Sequence, residues 1–170
     1  MVSFLEASNS NTVLGSAALG AGVSGATFVN ASNPQLGQQL IMTVSVGDFN
    51  GDGIPDLLAM NNGTPATVFL GNGDGTFTAL PSMAEGGGVA FAVADFNGDG
   101  ILDLAFANNT TLTVLLGNGD GTFTAKSPAL ETYDAPVAIT VADFNGDGIP
   151  DLAIANSGSD TVIVLLGNGD

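Results

Sequence analysis

Short apolar segments rich in Val, Ile, Thr and Phe alternate with polar, glycine-containing turns along most of this chain. The clearest series runs over 138–142, 151–156 and 161–166. Such residues favour β-strands, and segments that are apolar on both faces are typical of strands covered on both sides. No stretch carries a helical period. The pattern therefore predicts an all-β protein.

Repeated turns divide these strands into units. The string Leu70-Gly-Asn-Gly-Asp-Gly-Thr-Phe77 returns at residues 116–123 and begins again at residue 166. Its Asn-Gly and Asp-Gly pairs are strong hairpin signals, because both residue types tolerate positive φ. A second repeated string, which begins at Asp48, lies between the first two strands of each repeat. We therefore predict four strands per repeat, named a, b, c and d, with the second string between a and b and the Asn-Gly-Asp-Gly turn between c and d.

Tandem four-stranded units of 40–50 residues predict a β-propeller, here a segment of about three antiparallel blades with a partial N-terminal blade. The predicted boundaries are 1–40 for the partial blade and its linker, 41–85 for blade 1, 86–135 for blade 2, and 136–170 for blade 3, truncated before its last strand. In the partial blade, residues 11–15 align with the end of a c strand and 25–28 with the Gly-Thr-Phe of a d strand. Because the chain ends inside a turn, we interpret it as a fragment of a longer protein.

Charge narrows the possible functions. One Lys stands against 17 Asp and Glu, with no His and a net charge of −16. This balance excludes nucleic-acid binding through phosphate neutralisation and argues against docking to an anionic membrane. Cysteine is absent, no apolar run is long enough to span a membrane, and the first residues lack the basic start of a signal peptide. With so few nucleophiles, bases and cations, we expect no enzyme activity.

The repeated nine-residue string explains most of the acidity. Asp48-Phe-Asn-Gly-Asp-Gly-Ile-Pro-Asp56 recurs at residues 95–103 and 143–151, with spacings of 47 and 48 residues. Each copy carries oxygen donors at positions 1, 3, 5 and 9, a cluster suited to calcium, which accepts six to eight oxygens. Three such ions would change the formal charge from −16 to −10. The predicted ligands, with the backbone carbonyl at position 7, are Asp48, Asn50, Asp52, Ile54 and Asp56; Asp95, Asn97, Asp99, Ile101 and Asp103; Asp143, Asn145, Asp147, Ile149 and Asp151.

Two other types of loop share features with this string. An EF-hand needs a bidentate Glu at position 12 and flanking helices, whereas position 12 here is Ala59, Phe106 or Ile154, within a β segment. A metal-free Asp/Asn/Gly turn is the second alternative. The phenylalanines at position 2 (Phe49, Phe96, Phe144) are expected to pack in the core, as are Phe77 and Phe123. Turn formation accounts for Asp74, Asp120 and Asp170, although extra metal ligation is an alternative.

The Asp-Phe-Asn-Gly-Asp-Gly-x-x-Asp loop, followed by Asp-Leu-Ala-x-Ala-Asn and Leu-Leu-Gly-Asn-Gly-Asp-Gly-Thr-Phe, resembles the FG-GAP/VCBS repeat family. These repeats form calcium-binding blades of integrin α-subunit-like propellers and are abundant in exported bacterial proteins. The resemblance covers about residues 38–170. It implies an extracellular or secreted propeller with one calcium ion in the a–b loop of each blade.

We therefore expect a calcium-binding module with a structural or adhesion-like binding role. The alternatives are a glycan-binding, lectin-like propeller and the non-catalytic propeller of a larger exported enzyme. An open arc of blades also predicts partners: a second copy, exchanging the d-like strand at 27–28 to close a ring of about six blades, or the neighbouring blades of a longer parent. A protein or glycan ligand is expected; nucleic acid binding and membrane insertion are not.

Overall fold

A computed structural model describes residues 2–6, 12–17, 28–30, 41–61, 65–83, 88–131 and 135–170. Within these ranges the chain consists of strands and turns and contains no helix, which confirms the all-β prediction. None of the described segments is therefore a helix long and apolar enough to cross a membrane. The strands are β1 (Val2–Glu6), β2 (Thr12–Ala17), β3 (Phe28–Asn30), β4 (Ile41–Gly47), β5 (Asp56–Asn61), β6 (Thr67–Gly71), β7 (Phe77–Ala79), β8 (Ala90–Ala94), β9 (Asp103–Asn108), β10 (Thr111–Gly117), β11 (Phe123–Glu131), β12 (Pro136–Ala142), β13 (Asp151–Asn156) and β14 (Thr161–Leu165).

Three of the sheets are the predicted blades. Blade 1 has the order β4-β5-β6-β7, and blade 2 pairs β8, β9, β10 and β11 in the same sequential order. Blade 3 contains β12, β13 and β14 as strands a, b and c. Every neighbouring pair is antiparallel. The four-strand unit of blades 1 and 2 agrees with the sequence pattern.

The N-terminal sheet differs from the predicted partial blade. Its order is β2-β1-β3, with β1 antiparallel to β2 and parallel to β3. In a blade, the segment at Phe28 would pair antiparallel with the c-like strand at residues 12–17. Instead it pairs with β1, so the alignment of 11–15 and 25–28 with strands c and d does not describe this sheet.

Apolar side chains between the blades hold the arc together. Apolar side chains of blade 1 and blade 2 form one buried cluster: Phe49, Leu58, Met60, Ala66, Val68, Leu104, Phe106 and Leu115. A second cluster joins blade 2 to blade 3 and contains Ala92, Ala105, Ala107, Leu112, Leu152 and Ile154. Strand β9 contributes to both clusters, which confirms that an inner strand is covered on both faces.

The outward faces of the arc expose apolar residues. Val44 and Val46 lie on the side of blade 1 away from blade 2, and they are exposed by 59% and 64%. Val162, Val164 and Leu166 lie on the opposite end of the arc, in and just after β14, and are also exposed. The described blades therefore form an open stack.

Candidate metal-binding loops

The three a–b loops have the same hydrogen-bonded conformation. In each, the aspartate at position 1 accepts backbone N–H groups from positions 4, 5 and 6. In the first loop, Asp48 Oδ1 accepts from Gly51 at 2.8 Å and from Asp52 at 3.2 Å, and Asp48 Oδ2 accepts from Gly53 at 2.9 Å. Asp95 and Asp143 repeat these bonds. The glycines at positions 4 and 6 have positive φ in every loop, which allows the backbone to curl around the position-1 carboxylate.

Positions 3 and 5 are linked to each other. Asn50 Oδ1 accepts the backbone N–H of Asp52 at 3.1 Å, and the Asn50 amide donates to Asp52 Oδ2 at 2.9 Å. The other oxygen of Asp52 accepts the backbone N–H of Ile54 at 2.7 Å. The same three bonds occur in the second and third loops. These side chains lie on the outer, solvent-facing part of the loop.

The aspartate at position 9 has a different environment. Asp56, Asp103 and Asp151 are fully buried. Asp56 Oδ2 accepts the backbone N–H of Phe49 at 2.8 Å, and its Oδ1 accepts the N–H of Gly71 at 2.8 Å. One carboxylate thus ties the a–b loop to the end of strand c. The equivalent bonds are present in the other two blades.

Glycines at the end of strand c belong to this site, although the sequence interpretation did not assign them a role. A Cβ on Gly71 would come within 2.3 Å of the Pro55 carbonyl oxygen and within 3.0 Å of the Ile54 side chain. Gly117 and Gly167 have the same close contacts with their own loops. The available signal was the recurrence of Gly directly after the apolar c strand in all three repeats.

The pKa values follow these environments. Burial raises the pKa of Asp103, although backbone N–H groups of Gly117 and Phe96 act in the opposite direction. The exposed Asp143 has its pKa lowered chiefly by the backbone N–H of Gly148 and also by that of Gly146. The negative charge of Asp143 is therefore stabilised by the loop backbone, whereas the carboxylate of Asp103 is held in a buried site.

The donor set of each loop fits a hard divalent cation. It offers carboxylate, amide and carbonyl oxygens within nine residues, and a carboxylate that accepts N–H bonds retains further lone pairs. The structure does not by itself bring the acids together, because among the described residues no three acidic side chains converge into a metal-holding group. The amide at position 3 and the carbonyl at position 7 are therefore needed alongside the acids.

The c–d turns contain further aspartates that serve the turn. Asp74 Oδ1 accepts the backbone N–H of Thr76 at 2.9 Å and its hydroxyl at 2.6 Å. Asp120 makes the same pair of bonds with Thr122. The threonine hydroxyl and then its N–H lower the pKa of each aspartate. These bonds support turn formation as the role of both residues.

The position-2 phenylalanines pack between blades where a following blade is present. Phe49 is buried, and its ring lies 6.0 Å from that of Phe123 in an edge-on arrangement, with planes at 68°. Phe96 packs partly against the cluster between blades 2 and 3. Phe144 is 49% exposed. The core role is confirmed for Phe49 and in part for Phe96. Tyr133 and residues 85–87, which the sequence places in the linkers between blades, lie outside the described residues.

Two open grooves run between the outer parts of adjacent blades. One, of about 390 Å³, is lined by Leu80 and Met83 of blade 1 and by Phe123 of blade 2, among others. The other, of about 310 Å³, lies between blades 2 and 3 and includes Phe96 and Lys126. Lys126 Nζ lies 3.4 Å from Asp170 Oδ1 across this second groove.

Antiparallel blades stacked through their apolar faces, each with the same a–b loop, define a β-propeller repeat protein. The FG-GAP-like repeat family matches residues 48–106 and again residues 95–154, together more than half of the chain. The chain belongs to the FG-GAP-like repeat family.

Comparison with solved structures supports the same fold. Sixteen solved chains match. One is a lectin from Agrocybe aegerita, whose structure was described as the basis of specific recognition of non-reducing terminal N-acetylglucosamine. It is 25% identical, with a TM-score of 0.53, over 75% of this chain. The present chain spans 35% of the lectin's length. None of the curated proteins compared with the chain matches it.

Proposed function

We propose that this chain is a calcium-binding propeller module with a structural or ligand-binding, non-catalytic role in an extracellular protein. The observation that carries the proposal is the same loop conformation in three blades, with oxygen donors at positions 1, 3, 5, 7 and 9. Calcium would be held by these donors and would offset their mutual repulsion. Because the loop also fixes the end of strand c through position 9, ion binding would stabilise the blade.

Calorimetric titration tests the proposal directly. Calcium added to metal-free chain is expected to bind at three sites per chain. Asp99→Ala removes a donor from the middle loop and should reduce the number to two. Asp160→Asn is the matched control, because Asp160 is exposed and lies outside the three a–b loops. Asn also tolerates the backbone φ of 53° at this position. Three ions bound by the Asp99→Ala variant would refute the assignment of Asp99.

Glycan binding is the second candidate, and the lectin neighbour favours it. Its fold resemblance and 25% identity extend over three quarters of this chain. The inter-blade grooves offer concave surfaces for such a ligand. Titration with N-acetylglucosamine, followed by a glycan array, tests this candidate. Glucose and mannose serve as control sugars, and the absence of any glycan binding would remove it.

Self-association is the partner proposal that accompanies either function. The exposed valines of blade 1 and of β14 lie at the two ends of the arc, where a propeller would continue. If the last blade of each copy contacts the first blade of the other copy, these two identical contacts close a ring with two-fold symmetry. Light scattering at micromolar concentration tests it, and a monomer throughout the concentration range would contradict it.

A further inference from the structure

Both kinds of repeated turn contain the pair Asn-Gly. In the a–b loops the asparagine stands at position 3, and in the c–d turns of blades 1 and 2 it follows the glycine that ends strand c; these residues are Asn50, Asn97, Asn145, Asn72 and Asn118. Asparagine is chemically labile, and most so before glycine, whose lack of a side chain leaves its nitrogen unhindered. The same pair in two hydrogen-bonding environments allows their reactivity to be compared.

The reaction in question is deamidation, and it needs no enzyme. The backbone nitrogen of the glycine forms a bond to Cγ of the asparagine, and the bond from Cγ to Nδ2 breaks. The proton of the glycine nitrogen leaves with the side-chain nitrogen as ammonia, which gives a five-membered succinimide. Water then opens the ring at either carbonyl and yields aspartate or isoaspartate. A hydrogen bond that holds the glycine N–H elsewhere must break before this nitrogen can attack.

In the a–b loops the glycine N–H is held by a carboxylate. The glycine at position 4 donates to Oδ1 of the position-1 aspartate at 2.8 Å in the first loop, 2.7 Å in the second and 2.6 Å in the third. Bonds to an ionised acceptor are about twice as strong as bonds between neutral groups. Exposure does not separate the two kinds of turn, because Asn145 is exposed like Asn72.

In the c–d turns the glycine N–H is not held. Gly73 and Gly119 donate no hydrogen bond within the described residues, which include both turns in full. The preceding Asn72 and Asn118 are exposed. The side chain of Asn72 is bonded only to neutral hydroxyls, because its amide donates to Thr76 Oγ1 at 2.9 Å and its Oδ1 accepts from Thr78 at 3.1 Å. The turn of blade 2 has the same arrangement.

We propose that Asn72 and Asn118 are sites of spontaneous deamidation through a succinimide, and that the position-1 aspartates protect the asparagines of the a–b loops from the same reaction. The product at residue 72 has no amide to donate to Thr76, and isoaspartate adds one atom to the main chain of the turn. Modification therefore loosens the c–d hairpin. This chemistry goes beyond the proposed function and does not depend on a bound cation.

Peptide mapping by mass spectrometry tests the proposal. The full 170-residue chain is aged in mildly alkaline buffer with EDTA, below the midpoint of its thermal unfolding, and a parallel sample is aged in concentrated urea. The ratio of the unfolded to the folded rate at each asparagine removes the effect of its sequence neighbours. We expect this ratio to be at least roughly 10-fold larger at Asn50, Asn97 and Asn145 than at Asn72 and Asn118. Equal ratios at all five sites would overturn the proposal, as would reaction of Asn145 at the folded rate of Asn72.

A variant tests the protecting bond itself. Asp95→Ala removes the acceptor of the Gly98 N–H, so Asn97 should deamidate at least roughly 10-fold faster in the folded chain. Asn50 and Asn145 of the same molecule are the matched controls and should keep their rates. An unchanged rate at Asn97 would contradict the protecting role.

If Asp95→Ala does not fold, amide hydrogen exchange of the unmodified chain, measured by NMR, decides the matter. The glycine N–H groups of the a–b loops should exchange at least roughly 10-fold more slowly than those of Gly73 and Gly119. Exchange at similar rates in both kinds of turn would overturn the proposal.

Discussion

The buried carboxylate of Asp56 accepts the backbone N–H of Gly71 at 2.8 Å, although the two residues are 15 positions apart. Through its second oxygen the same carboxylate holds Phe49 at the start of the a–b loop. This buried, hydrogen-bonded carboxylate is the anchor that holds the exposed oxygen donors of the loop in position. The same anchor occurs in all three blades, so the position-9 carboxylate organises the loop in addition to any oxygen that it offers to a cation.

The anchor predicts a large loss of stability for Asp103→Ala. This change leaves the partly buried N–H groups of Phe96 and Gly117 without an acceptor, which costs up to about 1–3 kcal/mol each. We expect a decrease of about 2–5 kcal/mol in the free energy of unfolding, measured by urea denaturation in EDTA. Asp99→Ala is the matched exposed control and should change stability by less than about 1 kcal/mol in EDTA. Equal effects of the two substitutions would contradict the anchor role.

Calcium removal is expected to lower the melting temperature. A ligand that binds only the folded state, present at a free concentration of 100 times its Kd, raises the free energy of unfolding by about 2.7 kcal/mol per site. Excess EDTA should therefore lower the midpoint by many degrees in differential scanning calorimetry. Added calcium should restore it, whereas equimolar magnesium should not, because magnesium demands near-octahedral geometry. An unchanged midpoint in EDTA would contradict structural calcium.

Alanine substitutions of the position-2 phenylalanines are expected to lower the free energy of unfolding by different amounts in the different blades. Phe49 is buried between blades 1 and 2, so Phe49→Ala should cost about 3–5 kcal/mol. Phe144 is half exposed, and Phe144→Ala should cost much less, about 1 kcal/mol or below. Chemical denaturation of both variants measures the difference. Similar losses would mean that Phe144 is also packed in solution, as in a closed ring.

Asn156 predicts a substitution that stabilises the protein. Only 3% of this residue is exposed, and among the residues that the structure describes neither its amide nitrogen nor its oxygen has a hydrogen-bond partner. A buried unsatisfied polar group costs about 1–3 kcal/mol, so Asn156→Leu should raise the free energy of unfolding by up to that amount. Asn108→Leu, at the corresponding exposed position of blade 2, should change it by less than about 0.5 kcal/mol. Destabilisation by Asn156→Leu would indicate that the amide is satisfied in solution.

The c–d turns predict a pH dependence at acid pH. The Thr76 hydroxyl lowers the pKa of Asp74, so the folded pKa lies below the unfolded value of about 3.9. The contribution of Asp74 is therefore present above that unfolded value and is lost as pH falls through the folded pKa. Carboxyl NMR titration should show the pKa of Asp74 rising in Thr76→Val, while Asp120, which bonds Thr122, stays unchanged. No change at Asp74 would show that the hydroxyl bond does not control it.

The local structure of the repeat follows from residues that are close together in the chain. Glycines at fixed loop positions and Asn-Gly-Asp-Gly turns leave few backbone choices, and apolar segments such as 151–156 mark strands covered on both faces. These are short-range constraints, so the nine-residue string suffices to predict the loop and its candidate oxygens, and the apolar segments with the two repeated strings suffice to predict the four-strand unit. The N-terminal sheet shows the limit, because the match of 25–28 to Gly-Thr-Phe did not predict its parallel pairing with β1.

The different roles of the aspartates within the string depend on long-range packing. Position 9 carries the same residue type as positions 1 and 5, yet Asp56 is buried by the blade and bonded to Gly71, a partner 15 residues away. Likewise the three identical loop phenylalanines differ in burial, because the packing surface of each belongs to the next blade. Burial and long-range hydrogen bonds depend on what the fold places nearby, and a local pattern carries no information about that.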